Sequence, residues 1–291
     1  MSLRVLTSAN LTVSINDYGA ELSSITDAGG RQLLWQGGEP WNRRAPILFP
    51  IIGQQPEGTL RHGGIDYPIA QHGFARDSHF SVAIVSATSL LFTLVDSALT
   101  RSHFPFGFRL EVLYELSGST LTAITTVTNT DNVTFSASLG EHPAFAWPLV
   151  EGVAREAHTI EFASAEPAPI RRLSGGLMSP FALPTPVVGN VLTLDESLFA
   201  NDAIIFDSLT SRQVRYSAPG TPAVIIRFDD FPLLGLWSKA PGAFICIEPW
   251  FGMTAPVDFS GEYSAKPHQF ELATGERRSF AFSVTVEDAA D

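Results

Sequence analysis

Two short stretches bring together residue types that can move protons. In Phe244-Ile-Cys-Ile-Glu248, a run that is apolar on both faces ends on a single carboxylate, followed by Pro249 and Trp250. A carboxylate at the mouth of an apolar strand is partly desolvated, which raises its pKa toward the range useful to a general base. His142 ends a Thr/Phe/Ala/Leu segment in the same way and stands directly before Pro143. A residue that precedes proline is held extended, so both side chains are aimed rather than free. The alternative for Glu248 is a residue that merely ends a strand and points into water.

Other polar groups interrupt the apolar pattern. Arg43 and Arg44 directly precede Ala-Pro-Ile-Leu-Phe, His72 precedes a glycine in a segment with Arg76 and Asp77, and Asn201-Asp202 precede Ala203 to Phe206. Taken singly, a histidine near a turn is a hydrogen-bonded structural residue, Arg44 pairs with a surface acid, Asp77 or Asp202 caps a turn, and Trp237 or Trp250 is core. Taken together, a His, a Glu, an Arg or second His, and aromatics such as Trp237 suit a polyhydroxylated ligand. A sugar offers hydroxyls to charged groups and a C–H face to an aromatic ring. No H-x-x-H or H-E-x-x-H spacing occurs, so no metal site is expected. No nucleophile elbow, phosphate loop or dinucleotide fingerprint occurs either.

The elements that must position these groups read as strands. Leu11, Val13 and Ile15 alternate with Thr12 and Ser14. Leu110, Val112, Tyr114 and Leu116 share one face; Ser-Gly-Ser-Thr then turns the chain into Leu121, Ala123, Thr125 and Val127, predicting a hairpin. Phe280, Phe282, Val284 and Val286 repeat the pattern near the C-terminus. Further strands are expected at 80–85, 89–95, 133–139, 158–163, 203–206, 212–217, 222–227 and 268–273. Only Asp195 to Ala200 could supply a helical turn, and 165–188 reads as a long surface excursion. Many short strands, 23 Gly and 20 Pro for turns, and 21 Phe for a core predict an all-β chain, a large antiparallel β-sandwich in one domain over 1–291.

Composition bounds the partners. Hydrophobic residues make up 45% and charged residues 16%, enough for a substantial core. A formal charge of −12 argues against nucleic acid, whose phosphates need a basic surface. The single Cys246 fits a reducing compartment, and inside an apolar strand it is expected to be inert. With no apolar run long enough for a spanning helix and no secretion signal at the N-terminus, no membrane partner and a cytoplasmic location are expected, as a monomer or homodimer.

A set of short blocks resembles the aldose 1-epimerase (galactose mutarotase) family, and within it the LacX-type branch. They are Gly19-Ala-Glu-Leu-Ser-Ser-Ile25, Leu34-Trp-Gln-Gly37, Pro46-Ile-Leu-Phe-Pro50, His72-Gly-Phe-Ala-Arg76, Gly140-Glu-His-Pro-Ala-Phe145, Asn201-Asp-Ala-Ile-Ile-Phe206, Gly235-Leu-Trp-Ser-Lys239 and Cys246-Ile-Glu-Pro-Trp250. The resemblance implies a β-supersandwich with an open sugar cleft and a cofactor-free interconversion of α and β anomers of an aldose. It implies Glu248 as general base and His142 as general acid, with His72, Arg44, Asp202 and Trp237 around the substrate; Asp229 and Asp230 compete with Asp202. The alternatives are a non-catalytic sugar-binding or sensing module on the same scaffold, a hexose 6-phosphate 1-epimerase using Arg43, Arg76 or Lys239 for the phosphate, and a glycoside hydrolase, which needs a second well-placed carboxyl.

Overall fold

The computed structural model describes residues 2–288. Its architecture follows from strands whose alternation buries one face. In the hairpin Phe108–Ser117/Thr120–Asn129, Leu110, Val112, Tyr114 and Leu116 are buried on one arm. Leu121, Ala123, Thr125 and Val127 are buried on the other. Gly118, at φ +56°, makes the turn. Each large apolar side chain buried here contributes about 1.5–3 kcal/mol, so the register is fixed by which face meets the core.

This hairpin lies within a nine-stranded antiparallel sheet. The order is Val191–Thr193, Thr159–Phe162, Gln213–Ser217, Ala223–Arg227, Arg277–Glu287, Thr120–Asn129, Phe108–Ser117, Ser89–Val95 and Ser81–Ser86. A second sheet runs Ile204–Phe206, Leu233–Trp237, Phe244–Phe251, Leu139–Glu141 and Ile47–Leu48, with Ala144–Ala146 also paired to Phe244–Phe251. The main core draws on both sheets, joining Leu110, Val112, Phe280 and Phe282 of the first to Leu234, Leu236, Ile245 and Ile247 of the second. The smaller sheet therefore has an inner face on the core. Its outer face carries two small clusters, one around Leu48, Ile205, Leu233 and Trp250, the other around Ala144, Phe244 and Cys246.

Helix is scarce among the described residues: one α-turn at Ala98–Arg101, with a Ser97/Thr100 capping box, and short 3-10 turns. The turn expected at 195–200 is such a 3-10 turn, Glu196–Phe199, capped by the Asp195 carboxylate accepting from Ser197 N–H. No helix among the described residues is long and apolar enough to cross a membrane.

Three features differ from the sequence expectation. Leu233–Trp237 is a strand that alternation does not reveal, because four of its five residues are buried and Gly235 interrupts it. The run 133–139 divides into Phe135–Ala137 and Leu139–Glu141, which join different sheets; Ser138 between them donates its N–H to the Pro50 carbonyl. The 165–188 segment is more than a surface excursion. Arg171 bridges to Ile205, Met178 bridges to Pro256 and packs into the outer cluster, and Glu166 is buried with its carboxylate accepting from Thr210 and Ser211 N–H.

Candidate active site

The outer face of the smaller sheet is ruled by register. On one side of Phe244–Phe251, Gly140 pairs with Trp250 and Ala144 with Cys246. Continued through the interruption at Pro143, the same register sets His142 opposite Glu248. On the other side, Gly235 pairs with Glu248 and Trp237 with Cys246. Because side chains alternate along a strand, Cys246, Glu248 and Trp250 share the outward face while Ile245 and Ile247 enter the core.

Glu248 and His142 meet there. Their Oε2 and Nε2 atoms are 3.2 Å apart, and both side chains are almost wholly buried, at 2% and 7% exposure. Both line a cleft of about 1170 Å³, together with His72, Asp202 and Trp237. Trp41 stacks on the His142 ring at 5.0 Å, and Trp237 meets it edge-on at 6.0 Å.

Two glycines make this geometry fit. A Cβ on Gly140 would come within 2.7 Å of Trp250 Cδ1, and a Cβ on Gly235 within 2.6 Å of Trp250 Cζ2 and Cη2. The indole lies flat across its neighbouring strands only because both lack side chains. Its N–H is buried without a hydrogen-bond partner, as are His142 Nδ1 and Glu248 Oε2, so the close approach of the pair is not aligned as a hydrogen bond.

The electrostatics follow from burial. Desolvation pushes the Glu248 carboxyl well above its ordinary range; the Trp250 indole opposes this and the charge of Asp202 adds to it. Desolvation likewise pulls His142 down to about 3, aided by the charges of Arg76 and Arg43. Burial thus favours a carboxylic acid beside a neutral imidazole. Transfer of one proton across the 3.2 Å gap gives carboxylate and imidazolium with the same proton count.

His72 has a defined tautomer. Its Nδ1 accepts from Gly53 N–H at 3.1 Å, so the neutral ring carries its proton on Nε2. Burial holds its pKa well below the ordinary histidine value, and its ring centroid lies 5.7 Å from that of His142. Its backbone is left-handed, φ +66°, as is that of Asp202, φ +67°. Non-glycine residues adopt this region rarely, and such strain clusters at sites where a side chain must be aimed. The Asp202 backbone is held by Arg172, whose guanidinium donates to its carbonyl at 2.7 Å.

Arg44 does not join them. It is not among the residues that line the cleft, and its guanidinium packs against Gly37, whose Cβ position is 3.7 Å from Arg44 Cζ. Its backbone N–H is anchored on the Glu21 carboxylate and its carbonyl accepts from Ala144 N–H. The arginines that line the cleft are Arg155 and Arg76, the latter donating to the Gln71 carbonyl, and Lys239 lines it as well. Arg43 instead pairs with Asp77 at 2.9 Å. Asp229 pairs with Arg227, and Asp230 accepts from Ala281 N–H on the other sheet, leaving Asp202 as the aspartate of the cleft. Trp41, Gln54 and Asn201 also line the cleft. Nothing in their local sequence distinguishes Gln54 from an ordinary loop residue, whereas Trp41 opens the same block as Arg43 and Arg44.

Comparison with known proteins agrees with this architecture. The sequence profile of the family described as Aldose 1-epimerase matches residues 2–270. The chromosomal protein LacX of Lactococcus lactis subsp. lactis is 34% identical over 291 residues, covering 95% of this chain and 96% of that protein. The structure of a galactose mutarotase related enzyme from Lactobacillus acidophilus superposes with a TM-score of 0.91 at 29% identity, covering 100% of this chain and 99% of the other. A galactose mutarotase-like protein from Lactobacillus casei ATCC 334 gives the same TM-score and identity, covering 98% and 100%.

Proposed function

Because the chain belongs to the aldose 1-epimerase family, we propose that it interconverts the α and β anomers of an aldose by acid–base ring opening and closure at Glu248 and His142. The observation that carries the reading is the 3.2 Å approach of these two groups, both desolvated, on the wall of one cleft. Opening a hemiacetal requires taking the proton from the C1 hydroxyl while giving one to the ring oxygen. A pair that shares one proton holds one acceptor and one donor in either protonation form. With Glu248 as base and His142 as acid, the sugar's two oxygens enter between them. After rotation about C1–C2 the roles reverse, and the ring closes on the other face of the carbonyl. The step moves one proton of the pair and the sugar's own C1 hydroxyl proton, and each is returned when the ring closes.

The surrounding groups suit a sugar. His72 Nε2–H is a fixed donor, Asp202 is an acceptor at the cleft edge, and Trp237 and Trp41 supply aromatic faces. Arg76 and Lys239 on the same cleft support a second reading, in which the aldose carries a phosphate. The test is a panel of freshly dissolved aldoses and hexose 6-phosphates followed by polarimetry. Acceleration of anomer equilibration for at least one class is expected. Saturable sugar binding with no acceleration on any member would replace the epimerase with a binding module.

A further inference from the structure

Cys246 takes no part in ring opening, yet it stands beside the acid–base pair. One ligand atom each from His142, Cys246 and Glu248 lies within 4.8 Å of the others, and all three residues are buried. The arrangement comes from the sheet: Cys246 and Glu248 are two apart on one strand and share its outward face, and His142 reaches in from the adjacent strand. Sequence spacing alone does not reveal it, because the ligands follow strand register and not a helical or loop motif.

We propose that His142, Cys246 and Glu248 form a latent binding site for a thiophilic divalent cation of the Zn²⁺ type, and that its occupancy blocks the cleft's acid–base pair. Two independent observations point to a ligand. Glu248 Oε2, in a residue only 1% exposed, is buried and unpartnered and lies 3.2 Å from His142 Nε2, so a donor atom with free lone pairs faces the cluster. The donor set of one nitrogen, one sulfur and one carboxylate oxygen is that of zinc sites with a fourth position free. Mg²⁺ and Ca²⁺, which take oxygen ligands, are disfavoured by the thiol. At metal–ligand distances of about 2.0–2.3 Å, closing the widest separation by roughly 1 Å brings all three into one coordination shell. Cys246 and Glu248 give their protons to solvent as the metal–sulfur and metal–oxygen bonds form, with no change of oxidation state. His142 and Glu248 line the cleft, so the ion enters from the side the sugar uses.

The binding claim stands apart from the epimerase reading; the loss of rate rests on it. The experiment titrates the intact protein, kept reduced by a phosphine and not a thiol, with Co²⁺ and with Zn²⁺. One equivalent of Co²⁺ is expected to give a thiolate-to-metal charge-transfer band that Zn²⁺ displaces. Cys246→Ser and Cys246→Ala should both lose the band and bind Zn²⁺ at least tenfold more weakly, with thermal melts confirming that at least one remains folded. Wild-type affinity in the folded variants, or no thiolate band with the native protein, overturns the site. In parallel, anomer exchange is followed against Zn²⁺ occupancy. Full rate with the thiolate band saturated would leave the metal site standing and overturn the acid–base role of the pair.

Discussion

Gly235→Ala tests how tightly the cleft floor is built. The new methyl would sit 2.6 Å from two ring atoms of Trp250 and 3.1 Å from a third, where ordinary contact needs about 3.5–4.0 Å. The indole must therefore move by about 1 Å. It has little room toward the opposite strand, where its Cδ1 edge already lies over the side-chain-free Gly140. Nor can it lift freely, since Leu48, Ile52, Leu233 and Met253 pack around it. Overpacking of this kind costs about 1–3 kcal/mol, which for a chain of this size lowers Tm by roughly 2–10 °C. A misplacement of about 1 Å beside reacting groups costs on the order of 10²-fold in rate, and Trp250 lines the cleft together with Glu248. The assays are thermal melting, tryptophan emission and polarimetric anomer exchange. A Gly235→Ala protein with native Tm, emission and rate would show that the two glycines do not hold Trp250 in place.

Three further outcomes follow from buried groups. Lys266 is 3% exposed, donates only to the Met253 carbonyl at 2.6 Å, and burial lowers its pKa to about 7. The fold therefore gains stability as pH rises from 7 toward 10.5, and Lys266→Met should be more stable by on the order of 2–4 kcal/mol at pH 6, with the gain gone near pH 10.5 in denaturant titrations. Glu141, facing the core and accepting from Thr125 at 3.1 Å, is pushed by burial to about 7. Its raised pKa means stability is full below pH 4.5 and is lost as pH rises through 7, by about 3 kcal/mol; Glu141→Gln should flatten that slope, and an unchanged slope would count against it. His72→Asn retains a residue that tolerates φ > 0, so Tm should stay near native while kcat/KM falls at least tenfold; an unaffected kcat/KM would remove His72 from the site.

The sheet faces were legible wherever one side of a strand meets solvent. Phe108–Ser117, Thr120–Asn129 and Arg277–Glu287 alternate cleanly because the larger sheet buries one face and exposes the other. Leu233–Trp237 was hidden for the opposite reason: both its faces are covered, so nothing alternates. At the site, Glu248 and His142 stood out as polar residues that end apolar runs before proline, and the structure brings them to 3.2 Å. Arg44 could not be separated from Arg43 or Arg76 by type, and only tertiary placement sets Arg76 on the cleft. The roles of Gly140 and Gly235 were invisible, because a glycine in a strand gains meaning only when the neighbouring strand's side chain lies over it. Cys246 read as inert core, which its burial matches, while its nearness to the pair came from cross-strand register.

The most direct measurement is anomer exchange by polarimetry on native and Glu248→Gln protein at equal folded concentration. An acid–base partner contributes about 10²–10⁴-fold, so the variant should lose at least a hundredfold in rate while its melting curve stays cooperative and near native. A folded Glu248→Gln protein that equilibrates the anomers at the native rate would contradict the account.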